Sequence, residues 1–131
     1  MTDVFPTNAR ATNTRATNAL PLAERYFELS NAGDLTSIRS LFTDCSTYSS
    51  ATTGLYLGVD DIMTMQETFF ARFQSLAWTV HSSTEYRPAI ALFDFTFAGK
   101  TLDGNTVTVS GLEYVVVCNN RIQHVEIRNK E

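Results

Sequence analysis

The sequence predicts an α+β fold in which helices come first and an antiparallel meander follows, with the helices packed on one face of a curved sheet. Three observations predict it. Apolar residues recur at helical spacing through Phe73, and they alternate at strand spacing from Leu76 onward. Two turn signals, Leu102-Asp103-Gly104-Asn105 and Asn119-Asn120, then divide the second half into hairpins. With 131 residues, 44% of them hydrophobic and 18% charged, the chain has material for one domain around one core.

Residues 1–19 carry the near-repeat Ala11-Thr12-Asn13-Thr14-Arg15 and Ala16-Thr17-Asn18-Ala19, with almost nothing to bury, and read as a flexible leader to a domain spanning 20–131. Order begins at Leu20-Pro21, since proline loses no needed donor in a first helical turn. Leu22, Tyr26, Phe27, Leu29 and Ser30 fall on one helical face, which ends at Gly33. Asp34 caps a second helix with the stripe Leu35, Ile38, Leu41 and Phe42. A short strand over residues 46–50 leads into a loop holding Gly54, Tyr56 and Gly58. A third helix then starts at Asp60 or Asp61, and Ile62, Met63, Met65, Phe69, Phe70 and Phe73 make it apolar over a wide arc.

In the meander, Trp78, Val80, Ser82, Thr84 and Tyr86 share one face of a strand that Pro88 ends. Phe93, Phe95 and Phe97 form an aromatic ladder opposite Leu92, Asp94 and Thr96. The strand from Thr106 to Val117 presents Val107, Val109, Gly111, Glu113, Val115 and Val117 on one face, because side chains two apart point the same way. An acid among valines costs several kcal/mol, roughly, unless it is paired, neutralised or used. Glu113 is therefore the first candidate for chemistry. The opposite face, Leu112, Tyr114 and Val116, is also apolar, so both sides of the sheet need cover and a homodimer through the sheet supplies the second. On the last strand, residues 121–128, parity groups His124 with Ile122, Glu126 and Arg128 on the outer face and turns Val125 and Ile127 inward. His81 is read as an exposed sheet-face residue.

The net charge of -4 and the scattered Lys and Arg exclude a basic face for nucleic acid or an anionic membrane. There is no signal-like or bilayer-length apolar run, which leaves a cytoplasmic location by default. Cys45 and Cys118 lack metal-ligand spacing and read as buried thiols, with one disulfide as the alternative. No metal cluster, phosphate loop or nucleophile elbow occurs, and no cofactor is implied.

Arg25-Tyr26-Phe27, Asn31-Ala32-Gly33-Asp34-Leu35, Leu41-Phe42-Thr43-Asp44, Gly58-Val59-Asp60-Asp61-Ile62 and the closing strand pair from Asn119 to Ile127 occur in an order and spacing that resembles the nuclear-transport-factor-2-like superfamily, in particular its SnoaL-like and ketosteroid-isomerase-like members. The resemblance implies a cone-shaped, cystatin-like sheet with three N-terminal helices enclosing an apolar cavity, commonly in a dimer. It also implies roles. Tyr26 matches a tyrosine that donates to a substrate oxyanion, and Glu113 falls where that family holds a protonated aspartic acid. Ser50 occupies the place of the proton-abstracting aspartate, and a hydroxyl has no basicity to replace a carboxylate. The arginine–aspartate and paired-histidine patterns of hydrolase-like and dehydratase-like members are not present around Asp94 or elsewhere.

The expected pocket therefore has Tyr26 and Glu113 as the chemical pair, with Tyr48, Ser50, Tyr56, Met63, Phe69, Phe73, Trp78, Phe95, Val115 and Val125 as its wall. Two functions fit: isomerase- or cyclase-type acid–base chemistry on a small cyclic or carbonyl-bearing metabolite, and non-catalytic binding or dimerisation by the same fold. A third, hydrolysis or dehydration with water activated by Asp94 or Glu113, needs an inward acid, and Asp94 has the wrong parity.

Overall fold

The computed structural model describes residues 19–130, so the expected leader lies outside the described residues except for Ala19, which already belongs to the first helix. Helix α1 (Ala19–Ala32) places Ala23, Tyr26, Phe27 and Ser30 against the sheet and stops at Gly33, whose φ of 69° few other residues adopt. The side chain of Asp34 accepts from the Ser37 N–H at 3.1 Å and starts the short helix α2 (Leu35–Arg39). The hairpin of strands β1 (Thr47–Ser50) and β2 (Gly54–Leu57) follows, then helix α3 (Val59–Ala71). The stretch read as a loop around Tyr56 is therefore an edge strand. It is short and exposed, with Leu55 and Leu57 in solvent, and lacks the alternation that marks a half-buried strand. Helix α3 begins one residue before Asp60, and the Asp61 carboxylate reaches back to accept from the Leu57 N–H at 3.0 Å.

Strands β3 (Phe73–Arg87), β4 (Ile90–Thr101), β5 (Thr106–Cys118) and β6 (Arg121–Asn129) form the meander. The sheet is curved and unclosed, in the order β2-β1-β6-β5-β4-β3, with only β1 and β6 parallel. Helices α1 and α3 cover its inner face, and the core lies between them, led by Phe93, Ile62, Ile122, Val115 and Val125.

Bulges bend the strands and overturn two parity readings. The register shifts between Val80 and Ser82 and again before Arg87, so the far half of β3 turns over. Tyr86 thereby reaches the outer face, where its ring meets Tyr114 edge to face at 5.6 Å, rather than sharing the inward side with Trp78. On β6 the shift opposite Val116 and Val117 inserts Gln123, so Ile122 turns inward and is fully buried while His124 stays outside. Both cysteines are free and exposed, not buried: Cys45 lies in the turn before β1 and Cys118 is the last residue of β5. No helix among the described residues is long and apolar enough to cross a membrane, and these residues hold no metal-binding cluster of His, Cys, Asp and Glu.

Candidate functional site

The alternation of β4 and β5 turns Phe93, Phe95, Phe97, Val107, Val109 and Glu113 to the helices. Gly111 interrupts the row for a reason of space: a Cβ there would stand 2.7 Å from the Arg128 carbonyl oxygen and 3.0 Å from the Phe95 ring. The missing side chain lets that ring lie across β5. Helix α3 crosses above and does not fill all the volume beneath it. A cavity of about 110 Å³ remains between α1, α3 and the sheet.

One wall is aromatic. Phe69 from α3 lies 5.3 Å from Phe97 and 5.2 Å from Phe73, and Trp78 lies 4.9 Å from Phe97, distances at which ring quadrupoles attract. Asn31 fixes the position of Trp78 by accepting from its N–H at 2.7 Å and donating to its carbonyl at 2.9 Å, which ties the end of α1 to β3. The other end is polar. Gln66 Nε2 donates to the Tyr26 hydroxyl oxygen at 2.9 Å, and the Tyr48 phenol lies close enough to Tyr26 to influence its ionisation. The Tyr26 proton is left to point elsewhere. Gln66 Oε1 is buried without a hydrogen-bond partner among the described residues.

Glu113 stands on the same inward face, with Phe93 and Ile127 across the neighbouring strands, but set back from the cavity wall. It is 2% exposed, and its carboxyl makes no hydrogen bond or ion pair among the described residues. Burial alone raises its pKa from 4.5 to about 8, so the carboxyl is mostly neutral at pH 7. Burial first, and then the Glu113 charge, pushes the Tyr26 phenol far above its usual range. Burial, then the neighbouring Tyr26 and Glu113 charges, does the same to Tyr48. Both phenols are therefore fixed as neutral donors at any ordinary pH.

Of the residues expected to form the pocket, Tyr26, Tyr48, Ser50, Phe69, Phe73, Trp78 and Phe95 line this one cavity. Met63, Val115 and Val125 do not; they are core, Val115 and Val125 paired across β5 and β6 with no exposed surface. Tyr56 lines an adjoining cleft instead, because its hydroxyl donates to the Thr53 carbonyl at 2.6 Å. Ser50 Oγ accepts from the N–H groups of Thr52 and Thr53 and so holds the β1–β2 turn. The lining also includes Gln66, Met65, Thr53, Arg72, Ile127 and Asn129, which lie outside the expected wall. Gln66 carried a readable signal: an amide four residues after Ile62 on the apolar arc of α3, the same kind of anomaly that singled out Glu113. Arg72 carried none.

The SnoaL-like domain family matches residues 23–125, nearly all of the elements just described. The chain belongs to the SnoaL-like domain family. Solved structures described as NTF2-like and related proteins share its fold. An NTF2-like protein of unknown function from Exiguobacterium sp. 255-15 superposes with a TM-score of 0.75 at 18% identity, over 84% of this chain and 98% of that one. An LEH-like epoxide hydrolase from Mycobacterium tuberculosis gives 0.76 at 16% identity, over 87% and 84%. A second M. tuberculosis protein, solved in complex with estradiol-17beta-hemisuccinate, gives 0.74 at 16% identity, over 83% and 91%. At such identities the likeness of this SnoaL-like chain to each is a likeness of fold. No curated protein matches its sequence.

Proposed function

We propose that this SnoaL-like protein binds a small cyclic or carbonyl-bearing molecule in the cavity and dimerises through the outer face of its sheet. The observation that carries the binding reading is the polar end of an otherwise aromatic hollow. The Tyr26 hydroxyl accepts from Gln66 Nε2 and keeps its own proton to donate, and the Gln66 Oε1 is buried with no partner among the described residues. Leaving such groups unsatisfied costs about 1–3 kcal/mol each, a cost that a ligand oxygen or hydroxyl removes. The complex solved with a steroid ester shows that a relative of this fold takes a polycyclic ligand.

Binding is favoured over isomerisation because no carboxylate or imidazole lines the cavity among the described residues, so nothing there takes a proton from carbon. The acid–base reading rests on Glu113, which is unpartnered and close enough to Tyr26 and Tyr48 to shift both. It requires the carboxyl to enter the cavity. Asp94 gives no route to hydrolysis, since it faces outward and pairs with Lys130 at 3.0 Å. The dimer reading rests on Leu112, Tyr114 and Val116, half-buried on a face that none of the described elements covers.

Trp78 is the chain's single tryptophan and lines the cavity, so its fluorescence reports occupancy directly. Titration with cyclic ketones and phenols should give a saturable change. A flat response to every probe, with the folded state confirmed by circular dichroism, would remove the binding reading. Sedimentation should show a dimer that Tyr114→Lys dissociates; a dimer unaffected by that change would place the interface elsewhere.

A further inference from the structure

A cleft of about 400 Å³ adjoins the cavity, and Thr52, Thr53, Met65, Phe69 and Arg72 line both spaces and so stand at their boundary. Arg72 is the single cationic residue in that lining among the described residues. Its guanidinium lies over two phenyl rings, 5.7 Å from the Phe69 centroid and 5.3 Å from that of Phe73. It has no carboxylate at ion-pair distance among the described residues. Its N–H groups make no side-chain hydrogen bond or ion pair among the described residues. Beside it, Thr53 Oγ1 is buried without a partner.

We propose that the ligand is a small cyclic carboxylate, with its ring among Phe69, Trp78 and Phe97 and its carboxylate on Arg72 at the boundary with the cleft. This rests on the cavity being the binding site. Size supports the division, since an apolar cavity of about 150 Å³ takes a benzene ring and the hollow here is of that order. The rest of the molecule must extend into the cleft. Electrostatics sets the direction: the closed end offers phenols and the Gln66 amide, none of them cationic, so an anion placed there would be buried without a counter-charge. One planar fork matches a singly charged carboxylate bidentately, whereas a phosphate dianion calls for more than one cation, and the cleft also holds Asp61. Arg72 follows the last turn of α3, where any cation favours the helix dipole, so its presence alone decides nothing; what it discriminates does.

The test compares ω-phenylalkanoates, from phenylacetate to 6-phenylhexanoate, with their primary amides at pH 7, by Trp78 fluorescence and calorimetry. At the best chain length the acid should bind about tenfold more tightly than the amide, as a charge-assisted hydrogen bond exceeds a neutral one. Arg72→Met keeps an apolar stem over the rings and should abolish the preference, weakening the acid far more than the amide; Arg72→Lys should retain part of it. Equal affinities for acid and amide, a preference that survives Arg72→Met, or tighter binding of phenyl phosphate than of any acid would each overturn the carboxylate assignment. Failure of both acids and amides to bind would instead overturn the cavity as the site, and the assignment with it.

Discussion

The two faces of the sheet treat polar groups in opposite ways. On the outer face they are partnered. Lys130 holds both oxygens of Asp94 at 3.0 Å, and His124 sits between Thr47 Oγ1 at 2.6 Å and Glu126 at 2.9 Å. Ser49 donates to Glu126 at 3.2 Å, and His81 meets Thr96 at 2.8 Å. Under the helices, where desolvation makes a missing partner most costly, the Gln66 Oε1 and the buried Glu113 carboxyl have none among the described residues, and Thr53 Oγ1 in the β1–β2 turn is also without one. Water could have satisfied the outer groups without help from the chain. The contrast separates polar residues that serve the surface from those kept for a ligand, and it locates the site more reliably than residue type: the histidines, tempting by chemistry, are on the satisfied face.

The largest effect that would sharpen this contrast is a pH dependence of stability. Because folding raises the Glu113 pKa from 4.5 to about 8, the folded state holds a proton that the unfolded chain gives up between those values. Stability is then full below about pH 4.5, falls as pH rises toward 8 and levels above it, a loss of up to about 5 kcal/mol by linkage. Urea denaturation across that range should show the slope, and Glu113→Gln should remove most of it. A wild-type profile that is flat from 5 to 8 would mean that the acid is satisfied inside.

Packing comes next. Phe93→Ala empties a fully buried site on the inner face and should cost about 3–5 kcal/mol in the same assay. A smaller step concerns the ligand: Tyr26→Phe removes one donor and should weaken binding of a cyclic ketone about fivefold when read through Trp78, and it should cost about 1–3 kcal/mol of stability because the Gln66 Nε2 loses its acceptor. The smallest belongs to the outer face. Asp94→Asn breaks a partly exposed ion pair and should cost under about 1 kcal/mol, diminishing further in salt. A cost for Asp94→Asn comparable to that of Phe93→Ala would break the distinction between the faces.

Much of this could be read from the chain as letters. The helix–helix–strand–helix–meander order, the aromatic ladder of β4 and the inward parity of Glu113 are all periodic patterns, and periodicity is a property of a few neighbouring residues. Other features escaped for identifiable reasons. Edge strand β2 has no buried face to produce an alternating pattern. Met63, Val115 and Val125 are apolar like the cavity wall, and composition does not tell a residue beside a hollow from one in solid core. Arg72 is one exposed cation among several until its two phenyl neighbours and the two spaces it lines are seen.

By itself, then, the sequence determined which elements form, in what order, and that one acid must face inward among valines, because alternation and helical spacing act over a few residues. Only the tertiary structure decided where bulges reverse a face, as at Tyr86 and Ile122, and which side chains meet across long separations, as Gln66 and Tyr26 do. It also decided where packing stops short and leaves a hollow. Those outcomes depend on how twist, strand register and side-chain volume are reconciled over the whole sheet at once, and no local window contains that information.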